Sequence, residues 1–526
     1  MSEHAAALAA REVVSALVSH AVQDVVLAPG SRSAPLAYAL AAAEQGGWLR
    51  VHVRIDERVA GFVALGIARA NRPAAVVTTS GTAVANLHPA VLEAHHARLP
   101  LIVVSADRPH ELRGVGANQT TDQPGIFGAA ARSAVEIPAF DGTPRGVRAI
   151  VGRAVAAATG VRSGHPGPVQ VNVAFRDPLT PAEAWQPGAP PEPRPRLSAR
   201  APADDPVELA GRARTVVVAG DGAGPEIAHL AEAGGWPLLA EPTSGARQGS
   251  TAVPGYRGVL ATLGAEVERV VVAGRPTLSR PVSQLLARED VEVIVLEPGP
   301  DWVDVAGTAS TIATRAVVTE PSTDPTWLSR WREAGAAAQA EALASATLTG
   351  PQVLHAVLGP DRRGPVVLGS SLTIRHADLA AGVGAGFTPA RVVANRGLAG
   401  IDGTISTATG FALATGEPVR VVVGDLTFLH DVGGLAHGGH EPEVDLQVIV
   451  LDDAGGGIFG TLEHGRPEHA DVYPRYFGTA QQIDIGALAA GLGATHHLVR
   501  TTPELSRVLD VPVRGRSVVE ISLARD

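Results

Sequence analysis

The chain contains no cysteine and no lysine, and it has a single methionine among its 526 residues. The lack of cysteine excludes disulfides, cysteine-ligated zinc and a thiolate nucleophile. The lack of lysine excludes Schiff-base chemistry, a pyridoxal phosphate linkage and the lysine of a phosphate-binding P-loop. All 43 strongly basic residues are therefore arginine, and the abundance of Ala, Gly, Arg and Pro is typical of a GC-rich genome.

Long apolar runs and basic stretches are also missing. No run reaches the roughly 18 residues that a membrane span needs, and the amino terminus, Met1-Ser2-Glu3-His4, lacks the basic region of a secretion signal. The formal net charge is −10, which disfavours binding to nucleic acid or to an anionic membrane. We therefore expect a cytoplasmic protein without an integral membrane segment, whose partners are small molecules or further copies of itself.

Short apolar runs separated by glycine and proline dominate the sequence that is present. Hydrophobic residues make up 45% of the chain and charged residues only 18%, which is typical of an α/β protein with buried parallel strands. At roughly 100–200 residues per domain, the length predicts about three domains.

We predict three tandem α/β domains, each built on a doubly wound parallel sheet. The first spans residues 1–185, a proline-rich linker spans 186–206, the central domain spans 207–345 and the third spans 346–526. The predicted strands are 25–28, 51–53, 74–78 and 101–105, then 215–219, 270–273 and 291–296, and finally 366–369, 391–394, 421–423, 446–451 and 518–521. The predicted helices include 5–19, 57–70, 82–97 and 327–345.

Two predicted strands of the third domain end in carboxylates. Asp425 follows one strand, and Asp453 follows another just before a run of glycines. If the two strands are parallel neighbours, both carboxylates and a glycine carbonyl surround one point at the sheet edge. This ligand set suits a hard, octahedral Mg²⁺ that also holds a diphosphate.

The first domain carries two further groups at strand ends. The loop from Pro29 to Pro35 offers backbone N–H groups, a serine hydroxyl and the Arg32 guanidinium, which together would bind an anion. An ordinary serine N-cap with a solvent-facing arginine is the simpler interpretation. Glu57 follows the second strand and begins a helix, where most carboxylates only complement the helix dipole.

Several longer sequence motifs, spread across the chain, resemble those of one known enzyme family. They are Ala28-Pro29-Gly30-Ser31-Arg32-Ser33, Asp56-Glu57-Arg58, Thr79-Ser80-Gly81-Thr82-Ala83-Val84-Ala85-Asn86-Leu87, Ala106-Asp107-Arg108-Pro109, Gly116-Ala117-Asn118-Gln119, Asn395-Arg396-Gly397, Gly400-Ile401-Asp402-Gly403 and Gly455-Gly456-Gly457-Ile458-Phe459. Read together, they resemble the 2-succinyl-5-enolpyruvyl-6-hydroxy-3-cyclohexene-1-carboxylate synthases, a family of thiamine diphosphate-dependent enzymes. The resemblance covers all three domains and is densest in the first and third.

The resemblance implies a fold, an activity and a set of cofactors. The three domains would be pyrimidine-binding, central and diphosphate-binding, with thiamine diphosphate held by Mg²⁺ or, as the other candidate, Mn²⁺. The implied reaction is that of a transferase in menaquinone biosynthesis, which decarboxylates 2-oxoglutarate and adds the succinyl carbanion to isochorismate by conjugate addition. Active sites would lie at the subunit interface of a homodimer or homotetramer.

The resemblance also assigns residues to roles. Glu57 would activate the cofactor through its pyrimidine ring, and Asp425, Asp453 and the Gly455 carbonyl would bind the metal. Further implied cofactor contacts are Gly400, Ile401, Gly424 and Ile458, with Ile401 holding the cofactor in its bent form. The implied substrate-binding residues are Ser31, Arg32, Arg108, Asn118, Gln119, Arg280, Ser371, Arg375, Arg396 and Phe459. Both substrates are dianions, for which several arginines are the expected partners.

One departure from the family pattern and three alternatives stand beside this interpretation. Where many thiamine enzymes have two asparagines before the glycines, this chain has Asp452-Asp453-Ala454, and Ala454 offers no side-chain ligand. The alternatives are an acetolactate synthase-like enzyme, a non-catalytic regulatory protein on the same fold, and a Rossmann oxidoreductase. The last depends on a lone, imperfect glycine pattern at residues 219–224.

Overall fold

The computed structural model describes residues 4–139, 144–192, 197–199, 206–212, 214–360, 362, 364–383 and 391–523. Each of the three predicted domains contains one large parallel sheet. Part of the predicted linker, residues 193–196 and 200–205, lies outside the described residues. Within the described residues, no helix is long and apolar enough to cross a membrane. We keep the three residue ranges as a proposal for the domain boundaries.

The first sheet has six parallel strands. They are β1 (Asp24–Leu27), β2 (Arg50–Val53), β3 (Ala74–Thr78), β4 (Leu101–Asp107), β5 (Ser133–Ile137) and β6 (Val169–Ala174), in the spatial order β2-β1-β3-β4-β6-β5. The helices are α1 (Ala5–Ser19), α2 (Ala34–Gln45), α3 (Glu57–Arg69), α4 (Thr82–Ala85), α5 (His88–His96) and α6 (Pro144–Thr159), with short 3₁₀ turns at His110–Leu112 and Gly128–Ala130. Apolar side chains from both faces of the sheet form two buried clusters with these helices.

The structure departs from the sequence prediction in two places within this sheet. The single helix predicted over 82–97 is divided into α4 and α5, because Pro89 lacks the N–H that a helix interior needs and is tolerated only in the first turn. Strands β5 and β6 were not predicted. Strand β6 is fully buried yet carries Gln170 and Asn172, which interrupt the apolar run that would have marked it.

The central sheet has five parallel strands and a separate two-stranded ribbon. The strands are β7 (Val207–Leu209), β8 (Thr215–Ala219), β9 (Leu238–Ala240), β10 (Arg269–Ala273), β11 (Glu292–Leu296), β12 (Ala309–Ala313) and β13 (Ala316–Val318), with the order β12-β11-β10-β8-β9 and β7 paired with β13. The helices are α7 (Glu226–Gly234), α8 (Tyr256–Leu263), α9 (Arg280–Leu286) and α10 (Trp327–Leu343), with a 3₁₀ turn at Gly264–Glu266. Helix α10 packs its two buried tryptophans, Trp327 and Trp331, into the core of this sheet.

The third sheet repeats the topology of the first. Its strands are β14 (Val366–Leu368), β15 (Val392–Ala394), β16 (Val419–Gly424), β17 (Leu446–Asp452), β18 (Thr495–Val499) and β19 (Arg516–Ser522), in the order β15-β14-β16-β17-β19-β18. The helices are α11 (Gly350–Val357), α12 (Leu372–Ala380), α13 (Thr404–Thr415), α14 (Asp425–His430), α15 (Gly457–Gly460), α16 (Ile485–Gly491) and α17 (Thr502–Asp510), with 3₁₀ turns at Val432–Leu435, Glu463–Gly465 and Pro467–His469 and a π turn at Pro474–Gly478. The edge strand β18 was not predicted, because most of its side chains are at least partly exposed.

Helices α3 and α13 join the first and third domains. Both are almost entirely buried, and they cross closely enough that a Cβ atom at Gly66 would lie 2.0 Å from the Thr407 carbonyl oxygen. A Cβ atom at Gly410 would lie 1.9 Å from the Val63 carbonyl oxygen. Glycine at these two positions therefore allows the two backbones to touch, and this contact fixes the first domain against the third.

Candidate active site

The carboxyl ends of β1, β3 and β4 bring several of the predicted substrate residues together. The loop after β1 passes so close to the loop after β3 that a Cβ atom at Gly30 would lie 2.3 Å from the Cβ atom of Thr79. This approach sets the loop bearing Ser31 and Arg32 beside Ser80. In parallel sheets such strand ends are where ligands bind.

Arg32 and Arg108 form the cationic part of this cluster. Arg32 donates to the Phe175 carbonyl at 2.9 Å, and Arg108 donates to the Ser80 hydroxyl at 2.6 Å. Burial lowers the pKa of Arg32, and the neighbouring Arg108 cation lowers it further. Two guanidinium groups in mutual repulsion provide a favourable place for an anion.

Gln119 lies in the same cluster, whereas Asn118 and Ser31 lie at its rim. Gln119 and Ser80 exchange hydrogen bonds in both directions, each side chain donating to the other's carbonyl at 3.0 Å. Ser31 and Asn118 are exposed, as is Gln119, but the Asn118 carbonyl accepts its hydrogen bond from the Thr120 hydroxyl and not from Ser80. The first-domain cluster thus contains Arg32, Arg108 and Gln119 around Ser80.

Glu57 is the first residue of α3, directly beyond strand β2. The helix is capped by Asp56, whose carboxylate accepts hydrogen bonds from the N–H groups of Arg58 and Val59 at 2.8 and 3.2 Å. Glu57 itself is half-buried, and among the described residues its carboxylate has no hydrogen-bond or ion-pair partner. Since Asp56 already performs the capping role, Glu57 is not required to complete the helix end.

Asp425 and Asp453 lie at the carboxyl ends of adjacent strands. Strands β16 and β17 are parallel neighbours with Gly424 opposite Leu451, so the residues that follow each strand meet at one edge of the sheet. Burial and, to a lesser extent, the Asp453 and Asp452 carboxylates together raise the pKa of Asp425 to about 7. Burial also raises the pKa of Asp453 to about 6.

Gly455 lies beside Asp425 and Asp453 in the third domain, and these three residues form what we call the Asp425 corner. Gly455 has a φ of +135°, a conformation that favours glycine, and a Cβ atom there would lie 2.1 Å from the Gly478 carbonyl oxygen. Its N–H group lies close to both carboxylates and lowers the pKa of Asp425 and that of Asp453. At Gly424, by contrast, a Cβ atom would meet open space.

The donor set at this corner fits a divalent cation. Two facing carboxylates with raised pKa values are ionised most readily beside a positive charge, and oxygen donors are the ligands that Mg²⁺ prefers. Within the described residues, no group of three or more His, Asp or Glu side chains is arranged to hold a metal. A metal here would therefore take two carboxylates and complete its shell with a backbone carbonyl, water or a ligand's oxygens.

A second arginine cluster lies between the central and third domains. Ser371 occupies the N-cap position of α12 without a side-chain capping bond, and Arg375, one turn further along, donates to the Ser371 carbonyl at 2.7 Å. Burial lowers the pKa of Arg375, and the nearby cations Arg396, Arg257 and Arg280 lower it further. Arg396 is 3% exposed, and its Nε atom has no hydrogen-bond partner in the described structure. This cluster therefore also favours an anion.

Arg280 lies at the exposed margin of the second cluster. It forms an ion pair with Glu463 at 2.7 Å, and both side chains are more than half exposed. Ile458 and Phe459 lie on the short helix α15, where the Phe459 ring packs against Phe477 at 5.7 Å between ring centroids. Ile458 and Phe459 form an apolar margin next to the Asp425 corner.

Gly400 and Ile401 lie in the loop between β15 and α13. Ile401 is half-buried, and its carbonyl accepts a hydrogen bond from the Thr404 hydroxyl at 3.4 Å. The segment begins at Gly397 and Leu398, whose N–H groups both bond to a carboxylate of the first domain, that of Glu93. This loop thus contacts the first domain directly.

Sequence reasoning missed two members of these clusters. Ser80 is completely buried and links Arg108 to Gln119 through hydrogen bonds. It belongs to the sequence motif that follows β3, and its position there is the sequence signal that could have identified it. Arg257 comes from the central domain and donates to the Arg375 carbonyl at 3.4 Å. Nothing in the local sequence around Arg257 marks it, because only the packing of two domains brings it to α12.

Comparison with known families agrees with this geometry. The model described as "Thiamine pyrophosphate enzyme, N-terminal TPP binding domain" matches residues 8–126, and "Thiamine pyrophosphate enzyme, C-terminal TPP binding domain" matches residues 379–521. The first match contains Glu57 and the Arg32 cluster, and the second contains the Asp425 corner. These matches define the class of protein as an enzyme that uses thiamine diphosphate, also called thiamine pyrophosphate.

Full-length relatives identify the family within that class. A protein of Paenarthrobacter aurescens is 49% identical over 98% of this chain and 94% of its own length, and one of Kineococcus radiotolerans is 47% identical over 98% and 95%. A protein of Mycobacterium sp. (strain KMS) is 44% identical over 98% and 96%. All three are named 2-succinyl-5-enolpyruvyl-6-hydroxy-3-cyclohexene-1-carboxylate synthase, and this chain belongs to that family. The family and fold predicted from the sequence are confirmed, and the oxidoreductase alternative is wrong.

Proposed function

We propose that this enzyme decarboxylates 2-oxoglutarate and adds the resulting succinyl unit to isochorismate, giving 2-succinyl-5-enolpyruvyl-6-hydroxy-3-cyclohexene-1-carboxylate for menaquinone biosynthesis. One CO₂ leaves, one carbon–carbon bond forms by conjugate addition, and one proton is taken up, so two dianions give a product with three carboxylates. Family membership over nearly the whole chain supports this assignment. The proposal keeps the cytoplasmic location expected from the sequence.

The two arginine clusters are the structural observation that carries the proposal. A protein with a net charge of −10 gathers Arg32 with Arg108 at one strand edge and Arg375 with Arg396 at another. Such groups bind carboxylates by charge-assisted hydrogen bonds. Four guanidinium groups suit two dianionic substrates better than they suit pyruvate, which has a single carboxylate.

The cofactor and metal roles follow from the remaining groups. Thiamine diphosphate, when bound, supplies the electron sink that makes decarboxylation and carbon–carbon bond formation possible. Glu57 is the proposed partner of its pyrimidine ring, because this half-buried carboxylate is unpaired within the described chain. Asp425, Asp453 and the Gly455 carbonyl are the proposed ligands of Mg²⁺ or Mn²⁺.

We further propose that each site is completed by a second copy of the chain, in a homodimer or homotetramer. Large apolar side chains are exposed beside the predicted site residues, namely Ile55 at 85%, Val115 at 67%, Tyr476 at 64% and Leu398 at 54%. Apolar groups exposed next to site residues support a partner surface there.

A turnover assay with purified protein tests the proposed reaction. With thiamine diphosphate, Mg²⁺, 2-oxoglutarate and isochorismate present, we expect isochorismate loss to match CO₂ release in equal amounts. Replacing 2-oxoglutarate by pyruvate should abolish both. Release of CO₂ from pyruvate without isochorismate loss would instead support an acetolactate synthase-like enzyme.

An arginine variant extends this assay to the substrate site. Arg108→Ala removes a charge-assisted contact of about 2–3 kcal/mol, so kcat/KM for one substrate should fall roughly 30- to 150-fold. Arg153→Ala is the matched control, because Arg153 is exposed on α6 away from both clusters. Equal effects of the two substitutions would contradict a substrate-binding role for Arg108.

A further inference from the structure

Glu93 joins the first domain to the loop that bears Ile401. It lies on α5, it is 4% exposed, and its two carboxylate oxygens accept hydrogen bonds from the N–H groups of Gly397 and Leu398, each at 2.7 Å. Arg69, at the end of α3, donates to the same carboxylate at 2.9 Å. The buried carboxylate is therefore fully satisfied, and two of its three bonds cross between domains.

The same loop is held from its other side by the central domain. Arg275 donates to the Gly397 carbonyl at 2.8 Å and also to the His96 carbonyl at the end of α5. The fit around Gly397 is tight, since a Cβ atom there would lie 2.4 Å from the Glu93 carbonyl oxygen. The backbone N–H and carbonyl of Gly397 are thus both fixed by charged side chains, one from the first domain and one from the central domain.

We propose that Glu93 is a positioning residue that fixes the 397–402 loop, and through it Ile401, against the bound cofactor. This inference rests on the proposed function, in which Gly400 and Ile401 contact thiamine diphosphate. Glu93 lies three residues before His96 on a helix far from Ile401 in sequence, and it acts only through the loop backbone. A loop held at Gly397 and Leu398 presents Ile401 in one place, so less order has to be gained when the cofactor binds.

The chemistry of the contact makes the carboxylate specific. Two neighbouring N–H groups and one guanidinium require an acceptor with two oxygens and a negative charge. Glutamine has nearly the same shape, but its NH₂ group would face one of the donors and its charge is lost. Glu93→Gln therefore leaves a loop N–H without an acceptor while keeping the volume of the buried side chain.

The test compares Glu93→Gln with a matched variant, Glu297→Gln. Glu297 is also buried, also accepts one arginine, Arg98, and one backbone N–H, that of Gly299, and also joins two domains, but it does not touch the 397–402 loop. We expect Glu93→Gln to bind thiamine diphosphate at least tenfold more weakly by calorimetry, with KM for both substrates unchanged at saturating cofactor. Amide hydrogen exchange at residues 397 and 398 should increase, and Glu297→Gln should show neither effect.

Several outcomes would overturn the positioning role. Unchanged cofactor affinity and unchanged amide exchange in Glu93→Gln would do so, and so would an equal loss of cofactor affinity in Glu297→Gln. If Glu93→Gln does not fold, Arg275→Gln loosens the same loop from its other side and should raise exchange at residue 397 and weaken cofactor binding. Parent protein that binds no thiamine diphosphate would defeat the proposed function instead, and amide exchange alone would then decide the role of Glu93.

Discussion

At the scale of single residues, several charged groups of the proposed site lie beside groups of the same charge. Asp425 and Asp453 face each other with raised pKa values, and Arg375 lies among other arginines with a lowered one. Each of these arrangements costs stability in the free protein and is relieved when an ion of opposite charge binds. Asp425, Asp453 and Arg375 are therefore proposed ligand-binding residues whose own protein environment disfavours their charge.

A neighbouring histidine shows how burial links pH to stability. His376 follows Arg375 on α12 and packs against α11, where a Cβ atom at Gly350 would lie 2.4 Å from its ring. Burial and, to a lesser extent, the Arg257 cation together lower the pKa of His376 to about 4. Because the unfolded chain takes up this proton near pH 6.5, its contribution is present above that pH and is lost as pH falls towards 4.

His376→Gln should therefore make the free energy of unfolding depend less steeply on pH in the acidic range. The free energy of unfolding of the parent protein should fall by up to about 1.4 kcal/mol per pH unit more steeply than that of the variant between pH 6 and 5. Scanning calorimetry across this range measures the difference as diverging Tm values. His469→Gln, at an exposed histidine, should follow the parent curve, and parallel curves for His376→Gln and the parent would contradict the prediction.

At the scale of elements, the first and third sheets share one strand order and are joined through one pair of helices. The orders β2-β1-β3-β4-β6-β5 and β15-β14-β16-β17-β19-β18 place corresponding strand ends at corresponding edges. Glu57 begins the helix after the second strand of the first sheet, and Asp425 begins the helix after the third strand of the third sheet. Helices α3 and α13 then fix the two sheets relative to each other.

Gly410→Ala should weaken the close packing of α3 against α13. Alanine is the better helix former by about 1 kcal/mol, but the added Cβ atom would lie 1.9 Å from the Val63 carbonyl oxygen, so the helices must separate. We expect a net loss of about 1–3 kcal/mol and a Tm lower by several degrees in scanning calorimetry. Gly491→Ala is the matched control in a helix with open space, and it should be neutral or slightly stabilising. Equal Tm changes in the two variants would count against close helix packing as the cause.

At the scale of the whole molecule, the proposed cofactor groups fall into two halves. The first domain contributes Glu57 and the Arg32 cluster, and the third contributes the Asp425 corner. Within the described chain, no hydrogen bond or ion pair joins Glu57 to Asp425, and Ile55 beside Glu57 is 85% exposed. A site composed of the first domain of one chain and the third domain of another would bring the two halves together.

Mixing two inactive variants tests this arrangement. Glu57→Gln and Asp425→Ala proteins should each have very low activity, but a heterodimer contains one site with both residues intact. Random reassortment of equal amounts makes half of the dimers mixed, so about a quarter of the parent activity should return. The readout is isochorismate consumption after denaturation and refolding of the mixture. Failure to recover activity, when refolded parent protein does recover it, would indicate a site within one chain.

The sequence by itself determined the class, the family and most of the strands of this protein. Motifs of glycine and carboxylate residues at strand ends are local features of the sequence. Periodic apolar runs indicate buried strands even when the neighbouring strands are not known. Asp425 and Asp453 could be paired in advance, because parallel strands deliver their carboxyl ends to one edge. The prediction failed where burial and polarity disagree, as in β6 with its buried Gln170 and Asn172.

Only the tertiary structure decided which side chains meet across domains. The local sequence does not distinguish Glu93 from any other helical glutamate, or Arg257 from any other arginine. The groups that these two residues contact lie more than a hundred residues away along the chain. Hydrogen bonds of that kind depend on how three sheets pack, which no local pattern encodes. The contact of Glu93 with the Ile401 loop and the place of Arg257 in the second arginine cluster therefore follow from domain packing. The Asp425 corner and the Arg32 loop follow from the order of the residues.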